Sequence, residues 1–443
     1  MNVSLKISKK AFWQYIAIYA MLLINQSNFY AYYIDGNDNV ELILIGLLAT
    51  LLFVKHRNKA RYGYGICLFM LTAVIFERVI HGGIGISFWY EISLKILITC
   101  VAIFVDEQEF LNRFIKVVSI LAFISIIFWG LQLVGINLAE SLFGAHDTRN
   151  VLATYDYQGN RSASNYQCYG MYIYSYLAYY PNRNVGIFTE PGIYQCVINA
   201  AIFVLVFMGE FLDIDKSGKQ RLFLLFSLTL IITQSTTGYL GYLAILFAVL
   251  IRRSVESSEA SESFNWKGIV ASFALIAVIV LAVDLAIRGA DSLLNVAFLS
   301  KLFDNSNNLS LVAENSTGKY RMASLLMSIQ AMLEHPLGLG YDGWVAYSSV
   351  DELIGVGGAG GWPLKMGAIL GVVPLLVLLF WLFYPLKNLK KGWITNVLFV
   401  FLYFNTSLAQ TSAVYPVLIM ITIFLREFER YDIAKEWLKD EGR

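Results

Sequence analysis

The chain has 443 residues, 57% of them hydrophobic and 15% aromatic, and only 15% carry a formal charge, against about 25% in a typical soluble domain. A formal net charge of +1 excludes a nucleic-acid partner held by a basic surface. Cys67, Cys100, Cys168, Cys196 and His56, His81, His146, His335 are too scattered for a disulfide framework or a metal cluster, so no cofactor or metal is expected.

This composition points to an all-α polytopic membrane protein forming a single transmembrane domain over 1–443. The first residues, MNVSLKISKK, have the basic character of a signal-peptide head, but no small-residue cleavage site follows. The segment is therefore read as a retained first span. Apolar windows follow at 11–30, 39–54, 62–80, 88–105, 114–135, 190–211, 267–287 and 363–385. The runs 221–251 and 394–426 each carry a polar break, QSTTG at Gln234–Gly238 and NTSLAQTS at Asn405–Ser412. Each is read as two short helices meeting at a turn, which gives about twelve spans of the length a bilayer requires.

Positive charge sets the orientation. With the N-terminus in the cytoplasm, the inside segments are the N-terminal tail, 55–61, 106–116, 212–221, 252–267, 387–391 and the C-terminal tail. They hold 23 of the 33 Lys and Arg. Both termini are then cytoplasmic. Two long loops, 136–189 and 288–362, fall on the outer side, with the Ser235–Gly238 turn.

Four constellations stand out. RNVGIFTEPG places Arg183 seven residues before Glu190 at the mouth of an apolar run. Glu-Pro suits a helix start, since Pro fits the first turn and a carboxylate complements the dipole. Charges at a membrane interface are also costly and often functional, so Arg183 can equally hold an anion beside Glu190 as a base. STGKYR at Ser316–Arg321 precedes apolar residues at Met322, Leu325, Leu326, Ile329 and Met332–Leu333. This spacing predicts an amphipathic helix in the second outer loop. Lys319 and Arg321 in its first turn oppose the dipole, and an anion bound with Thr317 would relieve that; a surface helix with both cations in water is the alternative. HPLGLGYDGW then ends this helix in a Pro/Gly turn. Third, Ser235 and Thr237 sit in a small-residue turn that serves either packing or a wet site. Fourth, Glu77, Arg78, Glu91, Lys95 and Asp284 lie within spans. Glu91 and Lys95, at i and i+4, can pair on one helix face. The tyrosine-rich segment 166–180 is either an interfacial belt or a platform for sugar rings.

The FxEPG element before a span, the mid-chain turn, and STGxxR followed by a helix and HPLGLG resemble the bacterial O-antigen polymerase/ligase family, in particular its Wzy-type repeat-unit polymerases. The motifs cover roughly 180–380. The resemblance implies a GT-C-type glycosyltransferase fold in the bacterial cytoplasmic membrane, without metal or nucleotide sugar. It implies undecaprenyl-pyrophosphate-linked oligosaccharides as substrates. A separate flippase and chain-length regulator are the expected partners beside membrane lipids. In these terms Arg183 and Arg321, with Lys319 and Thr317, hold the pyrophosphate; arginine's planar fork suits phosphate oxygens. Glu190 is the candidate base, and Tyr194, Ser235, Thr237, His335 and Tyr341 line the substrate path. Ligases of this family carry a His shortly before the next span, where this chain reads GVGGAGGWPLKMG. That departure favours polymerase over ligase. A flippase or other transporter is the remaining alternative.

Overall fold

The computed structural model describes residues 8–34, 37–56, 86–147, 154–155, 161–162, 167–178, 181–255, 317–349, 364–389, 392–409 and 417–426, with helical positions 65, 72, 75 and 79. The expected span at 267–287, most of that at 62–80, the Gly-rich 355–361, and Glu77, Arg78, Ser316 and Asp284 lie outside these.

Helices dominate the described residues. They are α1 (Lys9–Ile24), α2 (Asn28–Tyr33), α3 (Asp38–His56), α4 (Ile86–Phe104), α5 (Phe110–Leu133) and α6 (Leu138–Phe143), then α7 (Pro191–Phe207), α8 (Lys216–Ile232) and α9 (Thr236–Val255). After these come α10 (Thr317–Glu334), α11 (Gly340–Ser349), α12 (Leu364–Leu370), α13 (Val372–Phe383) and α14 (Trp393–Ala409). Two of the helical segments described, Phe110–Leu133 and Val372–Leu389, are long and apolar enough to cross a membrane. Helices α1 and α7, with 16 and 17 residues, stop short of that length.

The breaks follow local chemistry. The run 221–251 divides at Thr233–Ser235, as the QSTTG signal predicts, with Gln234 in the left-handed region at φ 53°. The span expected over 363–385 divides at Gly371, φ 97°, which separates α12 from α13. By contrast α14 continues through Asn405 to Ala409, so the polar break expected from Asn405 does not interrupt it there.

α7 is central, packing against α5, α8, α9 and α14. Every residue in it is buried except Gly192 and Val206. A helix apolar on all sides belongs in such a position. α1 and α3 pack on α4, and α10 and α11 pack on α12.

The segment 136–189, expected as the first outer loop, contains short strands among its described residues that the all-helical expectation omits. β1 (Ala145–Asp147), β4 (Gln167–Tyr169) and β5 (Tyr176–Leu177) form an antiparallel sheet in the order β1-β4-β5, and β2 (Thr154–Tyr155) pairs with β3 (Arg161–Ser162). The tyrosine-rich segment supplies β4 and β5 of this sheet. Tyr169 pairs with Tyr176 in register, and their rings stack at 5.5 Å. Tyr174 is buried and donates to Gln132 Oε1 at 2.9 Å.

α10 forms where the periodicity predicts it, but its buried face differs. Met327, Ser328, Ala331 and Met332 are buried, while Leu326, Ile329 and Leu333 are exposed. Contact with α12 selects the inner face, since Gly367 leaves room for Met332.

Candidate functional site

The site is built around the stretch Arg183–Gly192, and almost every residue in it is committed to a neighbouring helix. Arg183 is half-buried and grips the end of α8. Its Nε donates to the Thr233 carbonyl at 3.1 Å and its Nη2 to the Gln234 carbonyl at 2.7 Å. A helix C-terminus presents unsatisfied carbonyls and partial negative charge, so a guanidinium there is favourable twice over. Gln234 returns the bond, its Nε2 donating to the Asn182 carbonyl at 2.9 Å.

Asn184 is fully buried and connects three elements. Its backbone N–H donates to the Ile232 carbonyl at 3.0 Å, and its Nδ2 to Ser125 Oγ of α5 at 2.9 Å. Ser125 Oγ lies 2.9 Å from Tyr194 Oη. Tyr194, expected from the sequence to line a substrate path, is only 2% exposed and packs in the core. Ile187 and Phe188 dock the start of α2. Asn28 donates to the Ile187 carbonyl through its N–H at 3.1 Å and to the Phe188 carbonyl through its Nδ2 at 2.9 Å. Thr189 N–H donates to the Gln26 carbonyl at 3.1 Å.

Glu190 is the N-cap of α7, with Pro191 in the first turn. Its carboxylate makes no capping hydrogen bond to the helix amides. Glu190 and Thr189 are half-buried, whereas Val185, Ile187 and Phe188 are buried. The open side of the stretch is therefore its last part.

The third constellation joins the first. Ser235 is buried, and its Oγ accepts from Gly238 N–H at 3.4 Å. The Thr237 carbonyl accepts from Asn405 Nδ2 at 3.0 Å, and the Gly238 carbonyl from Asn199 Nδ2 at 3.0 Å. Asn199 also donates to Gln195 Oε1 at 2.9 Å. This seam of Gln195, Asn199 and Asn405 is absent from the sequence reading. Its signal was the i, i+4 amide pair inside an otherwise apolar helix.

Thr317, Lys319 and Arg321 stand in the first turn and a half of α10, as the motif predicts; their side chains lie outside the described residues. His335 follows the last residue of α10, exposed, with its ring edge-on to Tyr347 at 6.3 Å. Tyr347 Oη donates to Glu334 Oε2 at 2.8 Å. Hydrogen bonds from Gln330 and Tyr347 hold the Glu334 carboxyl below its usual range. Tyr341 is half-buried in α11. The HPLGLG turn packs against the α12–α13 break. Leu339 N–H donates to the Ala368 carbonyl at 2.9 Å, and Val372 N–H to the Pro336 carbonyl at 2.9 Å. The structure thus places Ser235 and Thr237 at the α8–α9 turn that Arg183 grips, sets Glu190 at the start of α7, and gathers His335 and Tyr341 around the α10–α11 turn.

Among the described residues no group of three or more His, Cys, Asp or Glu is placed to hold a metal ion. Comparison with protein-family models, curated proteins and solved structures finds no match.

Proposed function

We propose that this chain is a polytopic membrane glycosyltransferase that polymerises lipid-linked oligosaccharide repeat units at the outer face of a bacterial cytoplasmic membrane. The observation that carries the reading is the direction of α8. Its start carries Lys216, Lys219 and Arg221, and its end is held by Arg183. Seventeen residues rise about 25 Å, short of a bilayer's hydrocarbon thickness of about 30 Å, so α8 gives the direction of the bundle rather than a full crossing. A cation-rich start belongs inside, so the Arg183–Glu190 junction belongs outside. Large apolar side chains exposed along the helices, such as Leu42, Ile43 and Leu47 of α3 and Val373, Leu376 and Phe380 of α13, support a lipid surround.

In this reading the acceptor hydroxyl of one lipid-linked unit attacks the anomeric carbon of the growing chain. A glycosidic C–O bond forms, the bond to the polyprenyl pyrophosphate breaks, and Glu190 takes the hydroxyl proton. Arg321 and Lys319, with the amides of the α10 start, neutralise the departing pyrophosphate. Arg183 is a positioning residue that fixes the turn beside Glu190, a change from the phosphate ligand its sequence suggests.

The test is a surface-glycan gel of the source cell after deletion of the gene, with lipid-linked intermediates extracted in parallel. Single repeat units without a ladder are expected, and Glu190→Gln at normal protein level should reproduce them. A full ladder retained on the lipid carrier would instead make the protein a ligase. Units confined to the cytoplasmic leaflet would make it a flippase.

A further inference from the structure

At the end of the bundle away from Arg183, the starts of α1, α5 and α8 surround a cavity of about 600 Å³. Small-molecule sites span roughly 300–1,000 Å³. Tyr15, Glu109, Asn112, Arg113, Lys116 and Asp213 are among its lining residues. Arg113 and Lys116 both face the ring of Tyr15, at 6.0 and 5.9 Å from its centroid. Asn112 Oδ1 accepts from Asp213 N–H at 2.8 Å, which fastens the α8 approach to α5.

The N-terminal turns of α1 and α5 line the cavity, each a source of partial positive charge. With the two cations they favour a phosphate. The cavity also presents two carboxylates, Glu109 and Asp213, and Arg113 already shares its charge with Asp106 at 2.7 Å. A purely anionic ligand would leave those carboxylates facing like charge. A zwitterion with a phosphate and an N–H-bearing ammonium answers both signs. The two helices that line the cavity, α1 and α5, also carry exposed apolar side chains further along their length. These are Phe12 and Ile16 on α1, and Ile120, Phe123 and Ile127 on α5. They offer a path for acyl chains that a soluble metabolite would not use.

We propose that this cavity seats the phosphoethanolamine head group of a membrane phospholipid. The phosphate lies towards Lys116, Arg113 and the helix ends, and the ammonium donates to Glu109 and Asp213. The proposal rests on the bilayer reading given above. By that orientation the cavity opens at the inner leaflet. Choline's quaternary ammonium has no N–H to donate, and a glycerol head group has no cation, so neither competes.

Native mass spectrometry of the full chain released from bilayer discs of equal phosphatidylethanolamine, phosphatidylglycerol and phosphatidylcholine tests this. Phosphatidylethanolamine should be the last lipid lost. Lys116→Gln, at an exposed position, and Glu109→Gln should each weaken its retention by about tenfold, the effect of losing one charge-assisted contact. Soluble glycerophosphoethanolamine should compete at the same residues. Equal retention of the three lipids, or retention unchanged in both variants, overturns the proposal. Recovery of the protein in a detergent-free soluble fraction would remove the bilayer reading and the lipid source together. Titration of glycerophosphoethanolamine would then report on the head-group chemistry separately.

Discussion

Gly186 lies directly against the ring of Tyr194. A β-carbon at residue 186 would stand 2.9 Å from that ring, and the backbone there has φ 58°. Both facts demand glycine: the left-handed region costs an L-residue about 1–2 kcal/mol, and the buried ring has nowhere to move. Gly186→Ala should therefore destabilise the protein by about 2–4 kcal/mol, read as a fall in unfolding midpoint in detergent. Tyr194→Phe keeps the ring and loses only the contact with Ser125, so its cost should be near 1 kcal/mol. Equal midpoints for Gly186→Ala and the parent would contradict this packing.

Arg183→Lys preserves charge and removes the fork. One ammonium cannot reproduce two hydrogen bonds donated from Nε and Nη2 to successive carbonyls. A loss of roughly 1–3 kcal/mol is expected, the worth of a charge-assisted hydrogen bond. Under the proposed polymerase function, the polymer ladder should shorten in proportion to the loss of folded protein, and stabilising conditions should restore it. An Arg183→Lys variant with parental stability and no ladder would instead place the guanidinium on the substrate.

Much of this arrangement could be read from the chain. The apolar windows at 39–54, 88–105 and 114–135 each coincide with one helix to within a few residues, and QSTTG marks a real break. Glu190-Pro191 starts a helix as the capping pattern predicts. What could not be read was commitment. Sequence shows that Arg183 is a fork, but its acceptors are main-chain carbonyls fifty residues away, and carbonyls carry no residue signature. Tyr169 and Tyr176 could not be assigned to a sheet because strands of two or three residues are too short to show alternation. Leu326, Ile329 and Leu333 of the predicted apolar face stand exposed, since periodicity finds an apolar face without saying what covers it.

Asp106 links α1 to α5 through Lys10, at 2.9 Å, and Arg113, at 2.7 Å. Burial alone would raise its carboxyl, but the hydrogen bonds and charges of Lys10 and Arg113 prevail and hold it below the ordinary value of 3.8. The folded state thus binds this proton more weakly than the unfolded state. Its stabilising contribution is complete above the unfolded value and is lost as pH falls through the folded one. The unfolding midpoint should drop as the medium is acidified below about pH 4. Asp106→Asn should lower the midpoint at neutral pH and flatten that acid limb. An unchanged limb in the variant would show that other carboxylates govern it.

Cys168, in β4, is 1% exposed, and its Sγ donates to the Gly170 carbonyl at 3.3 Å. Burial pushes its thiol up to about 12, against a smaller opposite pull from Ser175. The thiolate is the reactive form, so Cys168 should resist maleimide at pH 8 until denaturant is added, with peptide mass spectrometry identifying the residue. Rapid labelling of Cys168 in the native protein would mean that the β1-β4-β5 sheet opens in solution.

The pairing of Glu91 with Lys95 sets a sharper test of what the buried charges do. Lys95 has no exposed side-chain surface, is ion-paired with Glu91 one turn away, and lies 5.5 Å from the Tyr30 ring. Tyr30 in turn donates to Glu41 at 2.9 Å, so α2, α3 and α4 meet around one ammonium. Removing one member of a buried pair typically costs about 3–5 kcal/mol, whereas replacing both by apolar residues can be nearly neutral. Glu91 keeps 25% of its side chain exposed, so Lys95→Met should cost less than that range, about 1–3 kcal/mol. Glu91→Leu combined with Lys95→Met should recover part of it. Full recovery is not expected, because Glu91 also interacts electrostatically with Lys365 of α12. A double variant no more stable than Lys95→Met alone would mean that the Tyr30 face, and not the ion pair, supplies most of the stabilisation.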